Sequence, residues 1–257
     1  MALADAAAHG VVAVSVRTII RCISLADAKT RREHMRAQLD RAGHEWTFFD
    51  ACTALPADLP YDERASIAAH GRPLTKGELG CFASHWQLWQ LIAAEQDDAV
   101  LLALEDDVLL DCFYFAKIDE VAAAMRPYGY LRLYAKVPAG LRLEGPFLDR
   151  HIGRFSGRPY GTQGYLLTPA TARRFLASIN QVVRPVDDEM DRFWAHGIPA
   201  RTVFPFPLIE LNFGSTIESK RRQGMPLTKP QRLRWETSKG VEKLRRHLAN
   251  FTARLTG

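Results

Sequence analysis

The segment AVLLALEDDVLLD, residues 99–111, restricts the possible folds of this chain more than any other. An apolar run from Val100 to Leu104 stops on three consecutive carboxylates, Glu105, Asp106 and Asp107, and apolar residues resume at Val108, Leu109 and Leu110. A continuous run of that length is the pattern of a strand buried on both faces. Three adjacent acids repel one another and lose hydration if they follow the run inward. They therefore belong at the strand's C-terminal end, where open α/β sheets bind ligands. Alternation along the strand sends Glu105 and Asp107 to one side and Asp106 to the other. A hard ion such as Mg²⁺ or Mn²⁺ is held by one or two such carboxylates plus substrate phosphates. Three acids in a solvated turn would satisfy the same pattern.

At 257 residues the chain fits one large α/β domain or two small ones and can bury a sizeable core. No apolar stretch approaches the roughly 20 residues of a membrane span. The opening MALADAAAHGVVAVSV has Asp5 and His9 before a short apolar run and no basic start, so it reads as a frayed end leading into a strand, not a signal peptide. The four cysteines, Cys22, Cys52, Cys81 and Cys112, include no C-x-x-C pair, and their spacing suits neither a zinc site nor a disulfide framework. Cys81 and Cys112, in apolar contexts, read as small core residues, and a reducing cytosol is the expected compartment. The net charge of +5 is uneven. Residues 220–257 carry eleven Lys or Arg and two acids, while the rest of the chain sums to −4. Such a basic tail points to an anionic partner: a membrane, a nucleic acid or a polyanionic substrate.

Residues 11–25 are rich in β-branched side chains and read as one or two strands. A helix follows, with Asp27 as its N-cap, Met35 and Leu39 on its apolar face and Gly43 closing it. WTFFDA (46–51) reads as a second strand. Residues 53–73 read as a loop with a short helix at 62–69. Thr75 caps a helix over 76–96, and Glu78 three residues on completes a capping box. Its stripe of Phe82, His85, Trp86, Trp89 and Ile92 reads as core, although His85 sits one element before the acid cluster. The acid-tipped strand spans 99–110, and a helix covers 113–125. YLRLYA (130–135) is a strand, 136–160 a mobile Pro- and Gly-containing loop, GYLLT (164–168) a short strand, and 169–179 a helix starting at Pro169. A second acid cluster, Asp187, Asp188, Glu189 and Asp191, opens the segment 185–198. RTVFPFPLIEL (201–211) is strand-like, but its two prolines place it at a sheet edge. This alternation of strands and helices argues a layered α/β domain.

Two carboxylate clusters, one on a strand end and one at a helix start, suit a phosphate-bearing substrate. The first can place a metal on a diphosphate, and the second can supply a general base for an acceptor hydroxyl or bind that acceptor. Asp187 and Asp188 also make an ordinary acidic helix N-terminus.

In order along roughly residues 19–217, ISLADAKTRREHM (23–35), FFDA (48–51), LTKGELGCFASHWQLW (74–89), LEDDV (104–108), YGTQGYLLT (160–168) and PVD (185–187) resemble the motifs of the family 25 glycosyltransferases. That family includes bacterial lipooligosaccharide galactosyltransferases and relatives of collagen galactosyltransferases. The resemblance implies a GT-A type α/β fold, a mixed central sheet flanked by helices. It also implies a divalent metal (Mn²⁺, or Mg²⁺), a UDP-sugar donor (galactose the commonest sugar), a glycan or glycolipid acceptor, and inversion at the anomeric carbon. It casts Asp107 as the metal ligand and Glu105 as a partner of ribose or metal-bound water, with Asp106 a further candidate. Ser24 and Arg31 or Arg32 would lie at the nucleotide end. Gly77, Glu78, Ser84 and His85 would line the donor side, and Thr162, Gln163 and Tyr165 would sit near the transferred sugar. Asp187 is the first candidate base and Asp188 the second, because the extra acids leave the choice open. The strand at 11–16 precedes the family's usual start.

The expected organisation is a catalytic domain over 1–228 and a basic amphipathic helical tail over 229–257. In the tail a helix after Gly240 aligns Val241, Leu244, Leu248, Phe251 and Leu255 beside Lys243, Arg245, Arg246 and Arg254. Such a helix suits an anionic membrane, placing the protein in the cytoplasm, peripheral on the inner face of the membrane and without a nucleic-acid partner; packing on the body or a second subunit is the competing use. Two other functions fit less of the sequence. A non-catalytic, glycosyltransferase-like scaffold would not need Glu105, Asp106, Asp107 and Asp187 all retained. A metal-dependent nuclease would want a lysine soon after the acid strand.

Overall fold

The computed structural model describes residues 16–211 and 227–255. In chain order its elements are β1 (Arg17–Ser24), α1 (Lys29–Ala42), β2 (Trp46–Asp50), α2 (Glu63–His70), α3 (Lys76–Ala93), β3 (Ala99–Glu105), β4 (Val108–Leu110), α4 (Cys112–Phe115), α5 (Ile118–Met125) and β5 (Tyr130–Arg132). There follow β6 (Leu141–Phe147), β7 (Arg150–Phe155), β8 (Gly164–Leu167), α6 (Pro169–Ser178), α7 (Val186–Met190), α8 (Phe193–His196), β9 (Arg201–Phe204), β10 (Leu208–Glu210) and α9 (Lys229–Leu255). Eight strands form one mixed sheet in the order β2-β1-β3-β8-β5-β9-β7-β6, and β4 pairs with β10 in a separate ribbon. This is the mixed sheet flanked by helices expected of a GT-A type fold.

β3 lies inside the sheet, parallel to β1 and antiparallel to β8, and its period of two divides the core. Ala99, Leu101 and Ala103 pack with α3 and α6 through Phe82, Trp89 and Phe175. Val100, Leu102 and Leu104 pack on the other face with Met35, Leu39, Phe115 and Val121 of α1, α4 and α5. The same alternation carries past the apolar run. Glu105 emerges on the α3 face, beside His85. Asp106 emerges on the α1 face, beside Ser24 and Arg31.

Helix ends follow local chemistry. Thr75 and Glu78 make the expected capping box at α3. Asp62 caps α2, Thr168 caps α6 with Pro169 next to it, and Gly43 ends α1 in the left-handed region at φ 78°. Gly80 admits α3 against the chain after β2, since a Cβ there would meet the Cys52 carbonyl oxygen at 2.3 Å.

Several expectations change. Ala28, not Asp27, occupies the N-cap position of α1, with no side-chain cap. The strand expected over 99–110 breaks at Asp106 and Asp107 into β3 and β4, because repelling acids end the ladder. The helix expected over 113–125 is two, α4 and α5. The segment 136–160, read as a mobile loop, contains the β6–β7 hairpin. Its glycines mark a bulge between Leu143 and Gly145, and Pro146 is tolerated because β6 is the edge strand. β9, expected at an edge, lies between β5 and β7, because Pro205 and Pro207 fall after it in the connection to β10. Cys112 is exposed, whereas Cys22 is fully buried. Residues 11–15 and the opening segment lie outside the described residues.

α9 begins at Lys229 and runs through Gly240. It packs on α2 and α8, with Trp235 against Gly71. Glu242 accepts hydrogen bonds from Arg192 at 2.9 and 3.0 Å and from the Trp194 indole at 2.9 Å. These partners hold its carboxyl far below the ordinary glutamate range, at about 2, despite the opposing effect of burial. Docking uses this polar face, while Leu233, Val241, Leu244, Leu248, Phe251 and Leu255 stay exposed. No described helix is long and apolar enough to cross a membrane.

Candidate active site

The acid tip of β3 and the start of α7 meet across the short segment Tyr160–Gln163, which leads into β8. The Tyr160 amide donates to Asp191 at 2.8 Å and the Gly161 amide to Asp187 at 3.2 Å. The Thr162 hydroxyl donates to Glu105, and the Gln163 amide group donates to Glu210 at 3.1 Å. Four consecutive residues thus tie one acidic cluster to the other. The backbone is committed to this geometry, with φ of 55° at Tyr160 and 84° at Gly161. A Cβ on Gly161 would come within 2.2 Å of the Gln163 side-chain oxygen. Gly161→Ala is expected to cost about 2 kcal/mol from left-handed strain alone, measured by urea unfolding, and to displace Gln163 from Glu210.

At the β3 tip the three acids occupy three environments. Asp106 accepts from the Ser24 hydroxyl at 2.5 Å and pairs with Arg31 at 3.0 Å; burial leaves its carboxyl above the ordinary aspartate value. Burial also works to raise the Glu105 pKa, but His85, Thr162 and Lys136 outweigh it and hold the group below the ordinary value. Asp107 has the opposite balance. Burial, then the negative charges of Glu105, Glu210 and Asp106, push its carboxyl up to about 7. Its Oδ1 is buried and, among the described residues, has no hydrogen-bond partner.

Glu210 arrives because β10 pairs with β4 and places it opposite Val108; the Asp107 carbonyl also accepts from the Leu211 amide at 2.7 Å. Lys136 approaches Glu210 at 2.7 Å. An unsatisfied carboxylate oxygen within surplus negative charge, all donors being hard oxygens, fits a divalent cation of the Mg²⁺ or Mn²⁺ type. Asp107 would hold it, with Glu105 and Glu210 near enough to contribute charge.

At α7, Asp187 is half-buried and receives the Gly161 and Asp188 amides. Asp188 is buried and spent on His70 and Arg158, each at 3.3 Å, which keep its carboxyl below the ordinary value against the pull of burial. Asp191 is fully buried against Arg132, and burial raises its pKa to about 7. Glu189 lies between Arg184 at 3.2 Å and Arg192 at 2.7 Å.

The other sequence-identified residues divide into those at the acidic tips and those beneath. Ser24 and Arg31 reach the tip through Asp106, whereas Arg32 binds the Ser24 and Leu25 carbonyls at 2.9 and 3.0 Å and stacks over Phe48. Gly77 is exposed on the first turn of α3. Glu78 is buried in the capping box and in a two-pronged pair with Arg72 at 2.8 and 2.7 Å. Ser84 accepts from the Cys52 amide at 2.8 Å and donates to the Gly80 carbonyl at 2.9 Å, fastening α3 to the chain after β2. Tyr165 lies buried under His85, its hydroxyl 3.0 Å from Nδ1 and 3.1 Å from the Trp89 indole. Glu210, Lys136, His70 and Arg158 escaped the sequence reading. The one available signal was Glu210 as an acid ending a strand-like run, obscured by the prolines before it.

A mixed α/β sheet with one acidic cluster at the end of β3 and a second at α7 is the architecture of a GT-A type fold. Residues 18–190 match glycosyltransferase family 25, described as an LPS biosynthesis protein family. The chain belongs to that family.

Its relatives include procollagen galactosyltransferase 1-A of Xenopus laevis, 27% identical over 179 residues, covering 65% of this chain and 29% of the relative. The lipooligosaccharide biosynthesis protein lic2B of Haemophilus influenzae is 37% identical over 94 residues, covering 34% of this chain and 33% of the relative. A probable inactive glycosyltransferase 25 family member 3 of Bos taurus is 34% identical over 133 residues, covering 46% and 20%. The matches thus span a third or less of each relative's length.

Proposed function

We propose that this protein is a metal-dependent inverting glycosyltransferase that moves a hexose, galactose first among candidates, from a UDP-sugar to a hydroxyl of a lipooligosaccharide or other surface glycan. The observation that carries the reading is the bridge Tyr160–Gln163, which fixes the two acidic clusters on either side of one short segment. Asp187 removes the proton from the acceptor hydroxyl. That oxygen attacks the anomeric carbon from the face opposite the UDP, the bond to UDP breaks, and inversion follows from the single displacement. Asp107, supported by Glu105 and Glu210, would hold the divalent ion, which supplies charge stabilisation to the diphosphate when bound. Ser24 and Arg31, acting around Asp106, orient the nucleotide end, and Thr162 and Gln163 hold the donor side in register. Asp188 is the weaker candidate base because His70 and Arg158 already use its carboxylate.

The scaffold alternative draws support from the relative described as inactive. UDP release with Mn²⁺ across a set of UDP-sugars, with and without lipooligosaccharide acceptors, separates the two. Metal-dependent, acceptor-stimulated release is expected; none from any donor would leave a binding protein.

The division into a catalytic unit (1–228) and a docked tail (229–257) belongs to the same proposal, with the tail resting on the anionic inner face of the cytoplasmic membrane. Support comes from the outward apolar stripe of α9 and the basic residues flanking it. Burying a leucine is worth about 1.5–3 kcal/mol. Leu244→Gln with Leu248→Gln is therefore expected to weaken co-flotation with anionic vesicles about 100-fold or more. Wild-type flotation by the double variant would remove the tail from membrane binding.

A further inference from the structure

We propose that Cys81, His85 and Glu105 form a binding site for a thiophilic divalent ion of the Zn²⁺ class, which borders the all-oxygen cluster around Asp107 and Glu210 and shares Glu105 with it. Cys81 and His85 lie four residues apart on one face of α3, which packs on the β3 face from which Glu105 emerges. One ligand atom from each of the three lies within 4.8 Å of the others. His85 is 1% exposed, and its Nε2, 3.5 Å from Glu105 Oε1, has no hydrogen-bond partner among the described residues. At 3.5 Å the Glu105 carboxylate is an ion-pair neighbour of this nitrogen but too far for a good hydrogen bond, so imidazole, carboxylate and thiol converge on one point without bonding one another closely.

The surroundings suit metal ligation. The Tyr165 oxygen already accepts from the Trp89 indole and has a second lone pair for an Nδ1–H of His85, 3.0 Å away. A bound ion would replace the Nε2 proton that faces Glu105 in the metal-free pair while Nδ1–H stays on Tyr165, and such support of the second ring nitrogen is the usual arrangement for a ligating histidine. A tetrahedral ion with bonds of about 2.0–2.3 Å sets its ligands about 3.3–3.6 Å apart, so closing the triangle takes side-chain shifts of roughly 1 Å. Sulfur and imidazole with one carboxylate select a borderline-soft ion, whereas the oxygen-only cluster next door selects a hard one. Cys81 and Glu105 are each partly exposed, and an ion with three protein ligands takes water as its fourth. The spacing of the cysteines hides this grouping, because two of the three ligands are not cysteine. The inference does not depend on sugar transfer.

The test titrates the full chain, stripped with chelator, with Co²⁺ as a spectroscopic stand-in for Zn²⁺. One equivalent is expected to bind with a thiolate-to-cobalt band in the near ultraviolet that Zn²⁺ abolishes. Cys81→Ser should lose the band and weaken binding by at least the 10–100-fold of a supporting residue's loss, and Asp107→Asn should keep the band. In the wild-type protein Zn²⁺ should slow iodoacetamide alkylation of Cys81 at least tenfold relative to the exposed Cys112, read by peptide mass mapping. No band in the wild type, an unchanged band in Cys81→Ser, its loss in Asp107→Asn, or alkylation of Cys81 indifferent to Zn²⁺ would each overturn the proposal.

Discussion

Asp107→Asn is expected to lower metal-dependent sugar transfer about 10³-fold or more while making the metal-free protein more stable. The two effects share one cause. Asp107 is an acid in a place that disfavours its charge: burial and three neighbouring carboxylates raise its pKa to about 7. Between the unfolded value near 4 and that folded value, the native state holds a proton that the unfolded state releases. Metal-free stability therefore falls as pH rises through this window. Asparagine removes the charge and flattens that decline. It equally removes the hard anionic ligand, and charge stabilisation worth several kcal/mol corresponds to the stated loss in rate. Protons compete with the cation for Asp107, so Mn²⁺ should raise the melting temperature of the wild type more at pH 8 than at pH 6, and that of the variant at neither. Thermal melts with and without Mn²⁺ at both pH values, alongside UDP release, check every part. Wild-type turnover by the variant would discard the metal assignment, whatever the melts show.

The sequence made the centre of this fold legible and its edges less so. β3 is legible as a strand, though not its end at Glu105, because burial on both faces leaves a long apolar run, and the capping box of α3 because it is a local pairing of two residues. The distribution of Glu105 and Asp106 to opposite faces follows from strand alternation and was available in advance. The hairpin β6–β7 was not, because an edge strand tolerates the same Gly and Pro that make a loop. Glu210 was hidden for a related reason. Only the non-local pairing of β10 with β4 brings it beside Asp107, and no spacing rule spans the hundred or so residues between them. Glu78 and Ser84 show a local part played by a conspicuous motif. Their motif is conspicuous in the chain, yet their side chains are consumed in fastening α3, as the bonds to Arg72 and Cys52 record.

The tail and the second acidic cluster form one connected structure. Glu242 of α9 binds Arg192, Arg192 binds Glu189, and Glu189 binds Arg184, so α9 is joined by charge to α7, the helix that carries Asp187. Glu189 and Asp188 are thus committed to cations on the helix's supporting side. This division of labour gives the choice between neighbouring acids a physical basis. A carboxylate that is already paired and held below its ordinary pKa is a poor acceptor for a hydroxyl proton.

Asp187→Asn is accordingly expected to reduce kcat by about 10²–10⁴, the range for loss of a general base, with little change in the KM for the UDP-sugar. The amide keeps one oxygen for the Gly161 amide, so the bridge to Glu105 survives; it loses the oxygen that accepts from the part-buried Asp188 amide, so stability should fall by only about 1–3 kcal/mol. Asp188→Asn should behave in the reverse sense. It removes the charge that His70 and Arg158 face, so it costs stability of about 3–5 kcal/mol, as when one partner of a buried ion pair is lost. Its remaining folded fraction should turn over far faster than Asp187→Asn. Single-turnover rates normalised to folded protein, measured with both variants at saturating donor, decide the matter. If Asp188→Asn is the slower enzyme per folded molecule, the base assignment moves by one residue, and the ion pairs around Asp188 become part of the catalytic machinery and not only of the scaffold.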